Sequence, residues 1–303
     1  MRGYPDLYNH LLARRCHTSP SMEELTDSLK LVQAAQGRWS RGRPRDSKWD
    51  HYVETLEDNL FLGGLRPETE AEFRAGDGAE LSDARTRPAK MRALVSSSAL
   101  AVNFFDAWRG ADQGHLAESL GFLGEVTGLR FEFRPKEYPV KPRSPNLDLL
   151  LTLAEGRQVA VESKFTEPYR RPAGSRLAAK YFPPSRRLWD AVNLPAAQRL
   201  ADTFRPQWRH LDVPQLLKHM LGLASDPDGA STLLYLWYDT GLSDADSHRA
   251  EVARFAEQVR GDRIAFLSQT YQAAFGALSP ASIPTVGWYA YMNDRYFQTA
   301  GAG

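Results

Sequence analysis

Residues 146–165 read NLDLLLTLAEGRQVAVESKF, and this stretch decides the fold. Apolar residues occupy the odd positions from Leu147 to Leu153, and Val159 and Val161 continue the pattern after a short polar break. Because side chains alternate between the two faces of a strand, the pattern predicts strands at 146–153 and 158–165 that share one apolar face. A three-residue loop at 155–157, whose glycine tolerates a positive φ, predicts a hairpin that pairs odd-numbered residues with odd-numbered ones.

The even positions of the same strands carry three charged residues, Asp148, Glu162 and Lys164. The predicted register places Asp148 directly across from Lys164 and diagonal to Glu162. Two neighbouring carboxylates repel each other unless a cation or a shared proton lies between them. Oxygen ligands without clustered Cys or His favour Mg²⁺ or Mn²⁺, which can activate water and neutralise a phosphate. The alternative is a surface salt-bridge cluster, but the apolar Leu150 and Ala160 on the same face indicate a partly covered site.

Further strands and helices are predicted around this hairpin. Strands are predicted at 129–134 and 231–238, and the second is apolar enough to be buried on both faces. Leu116, Leu120 and Leu123 form one apolar stripe of a helix at 113–126. Other helices are predicted at 22–36, 89–108, 194–208, 213–223, 243–259 and 263–278, and a further strand at 285–292. Strands interleaved with helices indicate an α/β fold with a central mixed sheet.

Composition excludes several classes of protein. The chain has 303 residues, of which 42% are hydrophobic, so it can bury a core and is neither collagen-like, coiled-coil nor disordered. Its 38 Lys and Arg nearly balance 37 Asp and Glu, so nucleic-acid binding has to be carried by local segments. The single Cys16 allows no internal disulfide, which favours a cytoplasmic location. No signal peptide or membrane anchor is predicted.

Basic segments lie on both sides of the charged hairpin, and the one before it, residues 133–143, carries Arg134, Lys136, Lys141 and Arg143. Between residues 168 and 189 the chain carries six cations and no acidic residue: Arg170, Arg171, Arg176, Lys180, Arg186 and Arg187. Cations in such a segment are expected to contact nucleic-acid phosphates. Another basic segment, the loop 37–49, contains Trp39 near its start and Trp49 at its end. For this loop a solvated connection is the favoured interpretation, and a phosphate-contacting arm with stacking aromatic residues is the alternative.

An Asp, a hairpin and then Glu-x-Lys resemble the motif of the PD-(D/E)xK superfamily, with Asp148, Glu162 and Lys164 at the motif positions. The flanking stretches SSSALAVNFF and QLLKHMLGL extend the likeness to a restriction-endonuclease-like bacterial nuclease family over about residues 89–238. Two features depart from the motif. Ser163 stands where the superfamily usually has an apolar residue, and two residues separate Pro145 from Asp148.

The resemblance implies a restriction-endonuclease-like core at 89–303, preceded by a helical and loop region at 1–88 of unknown role. It implies a divalent metal ion, Mg²⁺ or Mn²⁺, held by two carboxylates of the motif, with the motif lysine acting on the attacking water. Members of the superfamily often add an acidic residue on a preceding helix, for which Glu118 and Glu125 are the candidates here. They also use a Gln on a following helix, and Gln215 matches that position.

The resemblance therefore implies a cytoplasmic Mg²⁺-dependent deoxyribonuclease, an endonuclease that serves defence or DNA repair. Restriction-like folds commonly act as dimers, so a homodimer is the expected assembly by analogy. The alternative is a non-catalytic nucleic-acid-binding or scaffold protein that retains the fold, and metal at the carboxylates distinguishes the two. A third hypothesis, a glycosidase-like acid and base pair, is disfavoured because Lys164 and the flanking cations have no role in it.

Overall fold

A five-stranded mixed sheet forms the centre of the structure, a computed structural model that describes residues 25–76, 79–111, 114–141, 144–170, 176–226 and 230–298. In spatial order the strands are β1 (Val126–Phe133), β2 (Leu147–Leu153), β3 (Gln158–Lys164), β4 (Thr232–Trp237) and β5 (Ala265–Thr270). Neighbouring strands are antiparallel from β1 to β3 and parallel from β3 to β5. The predicted α/β class with a mixed sheet is confirmed.

Helices cover both faces of this sheet. Side chains of residues just before α1, α3 and α6 accept hydrogen bonds from the first helical turn, which fixes where these helices begin. Within the described ranges, no helix is long and apolar enough to cross a membrane. The helices are α1 (Asp27–Trp39), α2 (Pro67–Ala75), α3 (Ser97–Phe105), α4 (Gly114–Ser119), α5 (Pro195–Asp202), α6 (Val213–Ser225), α7 (Ser243–Gln258), α8 (Tyr271–Gly276) and α9 (Trp288–Met292).

The alternation of β2 and β3 places a hydrophobic core on each side of the sheet. Leu149 and Val161, at odd positions, pack in the core that contains α3, α8 and α9. Leu150 and Ala160, at even positions, pack in a second core with α5, α6 and α7. The face that carries the three charged residues is therefore covered by helices, and the charges lie where that cover ends.

The loop between β2 and β3 begins one residue earlier than predicted. Ala154–Gly156 form the turn, and the Leu153 amide donates to the Arg157 carbonyl at 2.7 Å. Both Glu155 and Gly156 have a positive φ, 67° and 76°. A non-glycine residue rarely adopts this conformation, so the sequence pattern alone favours a turn centred on the glycine.

This loop sets a different cross-strand register. Leu149 pairs with Val161, so the predicted pairing of odd with odd residues is confirmed. Continuing the register by one residue places Asp148 opposite Glu162, whereas the predicted partner, Lys164, lies two residues further along the strand. The two carboxylates are thus direct cross-strand neighbours.

The helix predicted at 113–126 is also shorter than expected. Within the described residues α4 ends at Ser119, because Gly121 and Gly124 adopt positive φ values of 79° and 89° that end the helical turn. Leu123 is consequently 88% exposed, while Leu120 is buried. The predicted stripe therefore loses its last member.

Two predictions in the C-terminal quarter are wrong. The segment predicted as one helix, 263–278, begins with β5 and becomes helical only at α8. The segment predicted as a strand, 285–292, contains α9, which starts after Gly287 at a φ of 81°. Trp288 and Met292 lie four residues apart and are both buried on one helical face. Because both also occupy even positions, the same residues fit the two-residue period of a strand.

Arg295 joins the N-terminal region to the C-terminal end of the chain. Its side chain is 3% exposed and lies 3.9 Å from the centroid of the Trp39 ring. Its guanidinium donates to the Asn59 carbonyl at 2.7 Å, to the Asn59 side chain at 2.6 Å and to Gln36 at 3.1 Å. The domain boundary predicted at residue 88 stays a prediction, and these contacts cross it.

His248 gives the fold a measurable pH dependence. Its ring is fully buried, and the Tyr235 hydroxyl lies 3.0 Å from Nε2. Burial, with a smaller effect of His210, lowers the pKa of His248 from 6.5 to about 3. The unfolded chain therefore binds one more proton below pH 6.5, so stability falls as the pH falls. The expected loss between pH 7 and pH 5 is about 2 kcal/mol.

Urea unfolding at pH 7 and pH 5 measures this loss. In His248→Phe the decrease between the two pH values should be smaller by about 2 kcal/mol. The exposed His51→Phe serves as the control and should behave like the unmodified chain. An unchanged pH dependence in His248→Phe would contradict the prediction.

Candidate active site

The three charged residues of the hairpin line a cavity of about 510 Å³. The ends of β2 and β3 form one part of its lining, and residues that precede α3 and its first turn form another. The start of α6 and the segment after β3 complete the lining. The charged and amide residues that line it are Glu80, Lys90, Glu132, Asn146, Asp148, Glu162, Lys164, Glu167, Arg170 and Gln215.

Asp148 is fixed by the backbone of the neighbouring strand. Its Oδ2 accepts a hydrogen bond of 2.7 Å from the Ser163 amide. Burial and the charge of Glu162 raise the pKa of Asp148 well above its ordinary value, against the smaller effect of Lys164. A carboxylate in this position takes up a proton or a cation more readily than one in water.

Glu162 is buried between two nitrogen-bearing side chains. The Lys164 Nζ donates to Oε1 at 2.6 Å, and the His219 Nε2 lies 3.3 Å from Oε2. Burial alone would raise the pKa of Glu162, but the charges of Lys164 and His219 outweigh it and lower the pKa to about 2. Burial alone would also lower the pKa of Lys164, but the two carboxylates outweigh it and raise that pKa. At neutral pH this pair is therefore a carboxylate and an ammonium.

The donor set fits a magnesium or manganese ion. Glu162 is 2% exposed, and apart from the His219 ring at 3.3 Å no described residue bonds to its Oε2. In the part of the chain that the structure describes, no three His, Cys, Asp or Glu side chains are grouped closely enough to hold a metal ion alone. Mg²⁺ commonly binds through one or two carboxylates and completes its shell with waters and substrate phosphates. Asp148 and Glu162, opposite each other, are such a pair.

A third carboxylate on the same row was not predicted. Phe131 pairs with Leu149 and Phe133 with Leu147, so Glu132 of β1 lies opposite Asp148. Glu132 lines the cavity, accepts a hydrogen bond from the Asn146 side chain and has a positive φ of 53°. The missed signal was the pairing of β1 with β2, which aligns LRFEFR antiparallel to NLDLLL.

Ser163 finds the hydrogen-bond partner that its place on the apolar face requires. Its hydroxyl lies 2.7 Å from the Tyr271 hydroxyl, and both residues are buried. Because each hydroxyl satisfies the other, the departure from the usual apolar residue is accommodated without an unpaired polar group.

Of the helical residues implied by the resemblance, the structure brings Gln215 to the cavity but not Glu118 or Glu125. Gln215 lies in the first turn of α6, one turn before His219. Glu118 and Glu125 are exposed and are not among the residues that line the cavity. The backbone carbonyl of Glu125 accepts a hydrogen bond from the Ala154 amide at 2.8 Å, at the opposite end of the hairpin. Both side chains point to solvent, so neither reaches Asp148.

The cations predicted to contact nucleic acid differ in their distance from the cavity and in whether an acidic residue pairs with them. Arg170 is exposed at the edge of the cavity. Arg187 pairs with Asp190 and lies 2.9 Å from Asp202, so its charge is compensated. Arg171 lies outside the described residues. The other three cations are exposed but do not line the cavity: Arg176, Lys180 and Arg186.

Comparisons with known proteins identify a family. A family model described as "Restriction Endonuclease associating with ARP" matches residues 28–297, which reaches from α1 to the last helical turn of the described chain. Neither the curated proteins nor the solved structures contain a match to this chain. The family match confirms the resemblance to restriction-endonuclease-like proteins that the motif indicated.

Proposed function

Because the chain belongs to the family of restriction endonucleases associating with ARP, we propose that it hydrolyses phosphodiester bonds in DNA with a divalent metal ion. The observation that carries this proposal is that Asp148 and Glu162, whose charges interact across the hairpin, line an open cavity beside the charged Lys164. Restriction-endonuclease-like ancestry favours DNA as the substrate, as an analogy at the level of the family.

Asp148 and Glu162 would hold Mg²⁺ or Mn²⁺, which when bound would neutralise the scissile phosphate and lower the pKa of a water. Asp148 accepts from the Ser163 amide through Oδ2, so its Oδ1 is oriented for a ligand. Lys164 carries its proton in this environment, so its Nζ would donate to the attacking water or to the phosphate oxygen that gains charge. Gln215, at the start of α6, would contact a phosphate or a water.

His219 is a positioning residue in this scheme, because it acts through Glu162. It lies 2% exposed on α6, with Nε2 at 3.3 Å from the Glu162 Oε2. The contact limits where Oε2 can move, while Oε1 is held by Lys164. The α6 helix thereby fixes the orientation of a carboxylate that belongs to the sheet.

Arg170 would bind a phosphate next to the scissile one, with the basic segment that follows it. We place the reaction in the cytoplasm, and a homodimer would supply two sites for two strands. The family description names ARP as an associate, and we extend that association to this chain.

Cleavage of supercoiled plasmid tests the proposal. The purified chain with Mg²⁺ or Mn²⁺ should convert supercoiled DNA to nicked or linear forms, whereas EDTA or Asp148→Asn should abolish the conversion. Linear DNA as a second substrate separates endonuclease from exonuclease action. DNA that stays intact with either metal ion, although the chain binds it, would support the non-catalytic binding protein instead.

Metal binding should also raise thermal stability. Mg²⁺ at about 100 times its Kd should stabilise the folded chain by about 2.7 kcal/mol, which corresponds to several degrees in Tm. Glu162→Gln should lose this shift, because it removes one of the two proposed ligands. Glu118→Gln is the matched control, since it removes a carboxylate outside the cavity, and it should keep the shift. A shift that depended on Glu118 and not on Glu162 would contradict the assignment of ligands.

A further inference from the structure

A second cluster of cations lies on the N-terminal side of the cavity. The basic loop, residues 37–49, begins in the last turn of α1 and contains five exposed cations: Arg38, Arg41, Arg43, Arg45 and Lys48. Among the described residues none of these five forms an ion pair. Asp46 is the one acidic residue of the loop, and it pairs with Arg92 at 2.7 Å. The positive charge of the basic loop is therefore uncompensated.

Side-chain contacts hold the basic loop in a defined shape. The Arg45 guanidinium donates to the Gly37 carbonyl at 2.9 Å and to the Ser40 hydroxyl. Arg43 and Arg295 lie 4.1 and 3.9 Å from the centroid of the Trp39 ring. Both guanidinium groups therefore lie at cation–π distance from this ring. Trp39 is partly buried and holds Arg43, so its ring is not free to stack on a base.

The basic loop is attached to the wall of the cavity. The Asp46 amide donates to the Tyr52 carbonyl at 3.0 Å, and Arg45 forms a bridge with Val53. Tyr52 lines the cavity and forms a bridge with Ala93, which lines it too. Arg170 lies on the wall formed after β3. The wall of the proposed site of cleavage is therefore lined by Arg170 and also attached to the basic loop.

We propose that the basic loop is a second surface that contacts the phosphate backbone of the DNA substrate, next to the part of the cavity wall that Tyr52 and Ala93 line. This inference rests on the proposed function and adds a second phosphate-binding segment to Arg170. Cations without counter-charge and without an exposed aromatic ring bind phosphates rather than bases, so the contact is independent of sequence. An acidic protein partner is the other possible occupant, but the attachment to the cavity wall favours the substrate.

The salt dependence of DNA binding tests the inference. The variant Arg41→Ala/Arg43→Ala/Lys48→Ala of the full chain is compared with Arg157→Ala/Arg199→Ala/Arg260→Ala, which removes the same charge. The control positions lie at the hairpin loop, on α5 and after α7, near the ends of the strands opposite to the cavity. Fluorescence anisotropy with a labelled duplex in EDTA, at several salt concentrations, gives the slope of log Kd against log salt.

Each phosphate contact contributes about 0.9 to that slope, so the loop variant should reduce it by about 2 to 3, and the control variant should leave it unchanged. Arg41→Ala/Lys48→Ala leaves the contacts of Trp39 intact and should reduce the slope by about 2, which excludes an effect of unfolding. Equal slopes in the unmodified chain and the loop variant would overturn the inference even if plasmid cleavage occurs. A chain that neither binds nor cuts DNA would overturn the proposed function and the inference together.

Discussion

Replacing Lys164 with Met is expected to lower the kcat of DNA cleavage by about 1,000-fold, a magnitude typical for the loss of a positioned proton donor or charge at a reacting centre. Met keeps the length and the apolar stem of the side chain but removes the ammonium that contacts Glu162. The folded structure should persist, because the replaced group lies at the wall of the cavity and not in a core. Single-turnover cleavage with saturating protein measures the chemical step.

Two comparisons make this result specific to Lys164. Lys90 lines the same cavity but is bonded to Glu80 at 2.8 Å, so Lys90→Met should change kcat only by a few-fold. The Mg²⁺-dependent rise in Tm should persist in Lys164→Met, since removing a competing cation leaves both carboxylates in place. Full activity in Lys164→Met, or an equal loss in Lys90→Met, would contradict the role assigned to Lys164.

Arg295→Ala is expected to destabilise the folded chain by about 4 kcal/mol, because a buried cation loses several hydrogen bonds and leaves their acceptors unpaired. The side-chain oxygens of Asn59 and Gln36 lose their Arg295 donor, the Asn59 carbonyl keeps only its weaker donors, and Trp39 loses a stacked guanidinium. In chains somewhat shorter than this one, a loss of 1 kcal/mol in stability lowers Tm by about 2 to 4 °C, so Tm should fall here by about 10 °C. Differential scanning calorimetry measures the change.

Conservative and exposed replacements separate the causes. Arg295→Lys keeps the charge but not the planar fork, so it should recover only part of the lost stability. Arg254 stacks on Trp208 at 3.6 Å and is exposed, so Arg254→Ala should cost less than about 1 kcal/mol. A loss no larger in Arg295→Ala than in Arg254→Ala would mean that the buried contacts contribute little.

The hairpin was predictable in its faces but not in its register. The alternation from Leu147 to Val161 fixed which residues share a face, because a strand has a period of two residues. The register depended on Glu155 adopting a left-handed conformation, which no local pattern announces. A shift of one residue in the loop was enough to replace Lys164 by Glu162 as the partner of Asp148.

Residues that reach the site through tertiary packing were harder to foresee. Glu132 enters through the pairing of β1 with β2, and His219 through the packing of α6 on the sheet. Both depend on contacts between segments that are distant in sequence, so local periodicity cannot place them. The same limitation explains Glu118, which lies on the exposed side of α4 while Leu116 and Ala117 of that helix pack in the core against the sheet.

The mixed direction of the sheet also has a consequence for the order of folding. β1, β2 and β3 are consecutive and antiparallel, whereas β4 joins β3 only after the long connection that contains α5 and α6. Local contacts close at a small entropic cost, and distant ones close later. We therefore expect the hairpin to bring Asp148 and Glu162 together early in folding, while both are still hydrated. Their mutual repulsion then grows as α6 docks and delivers His219, so the last step of folding is the one that creates a demand for a cation.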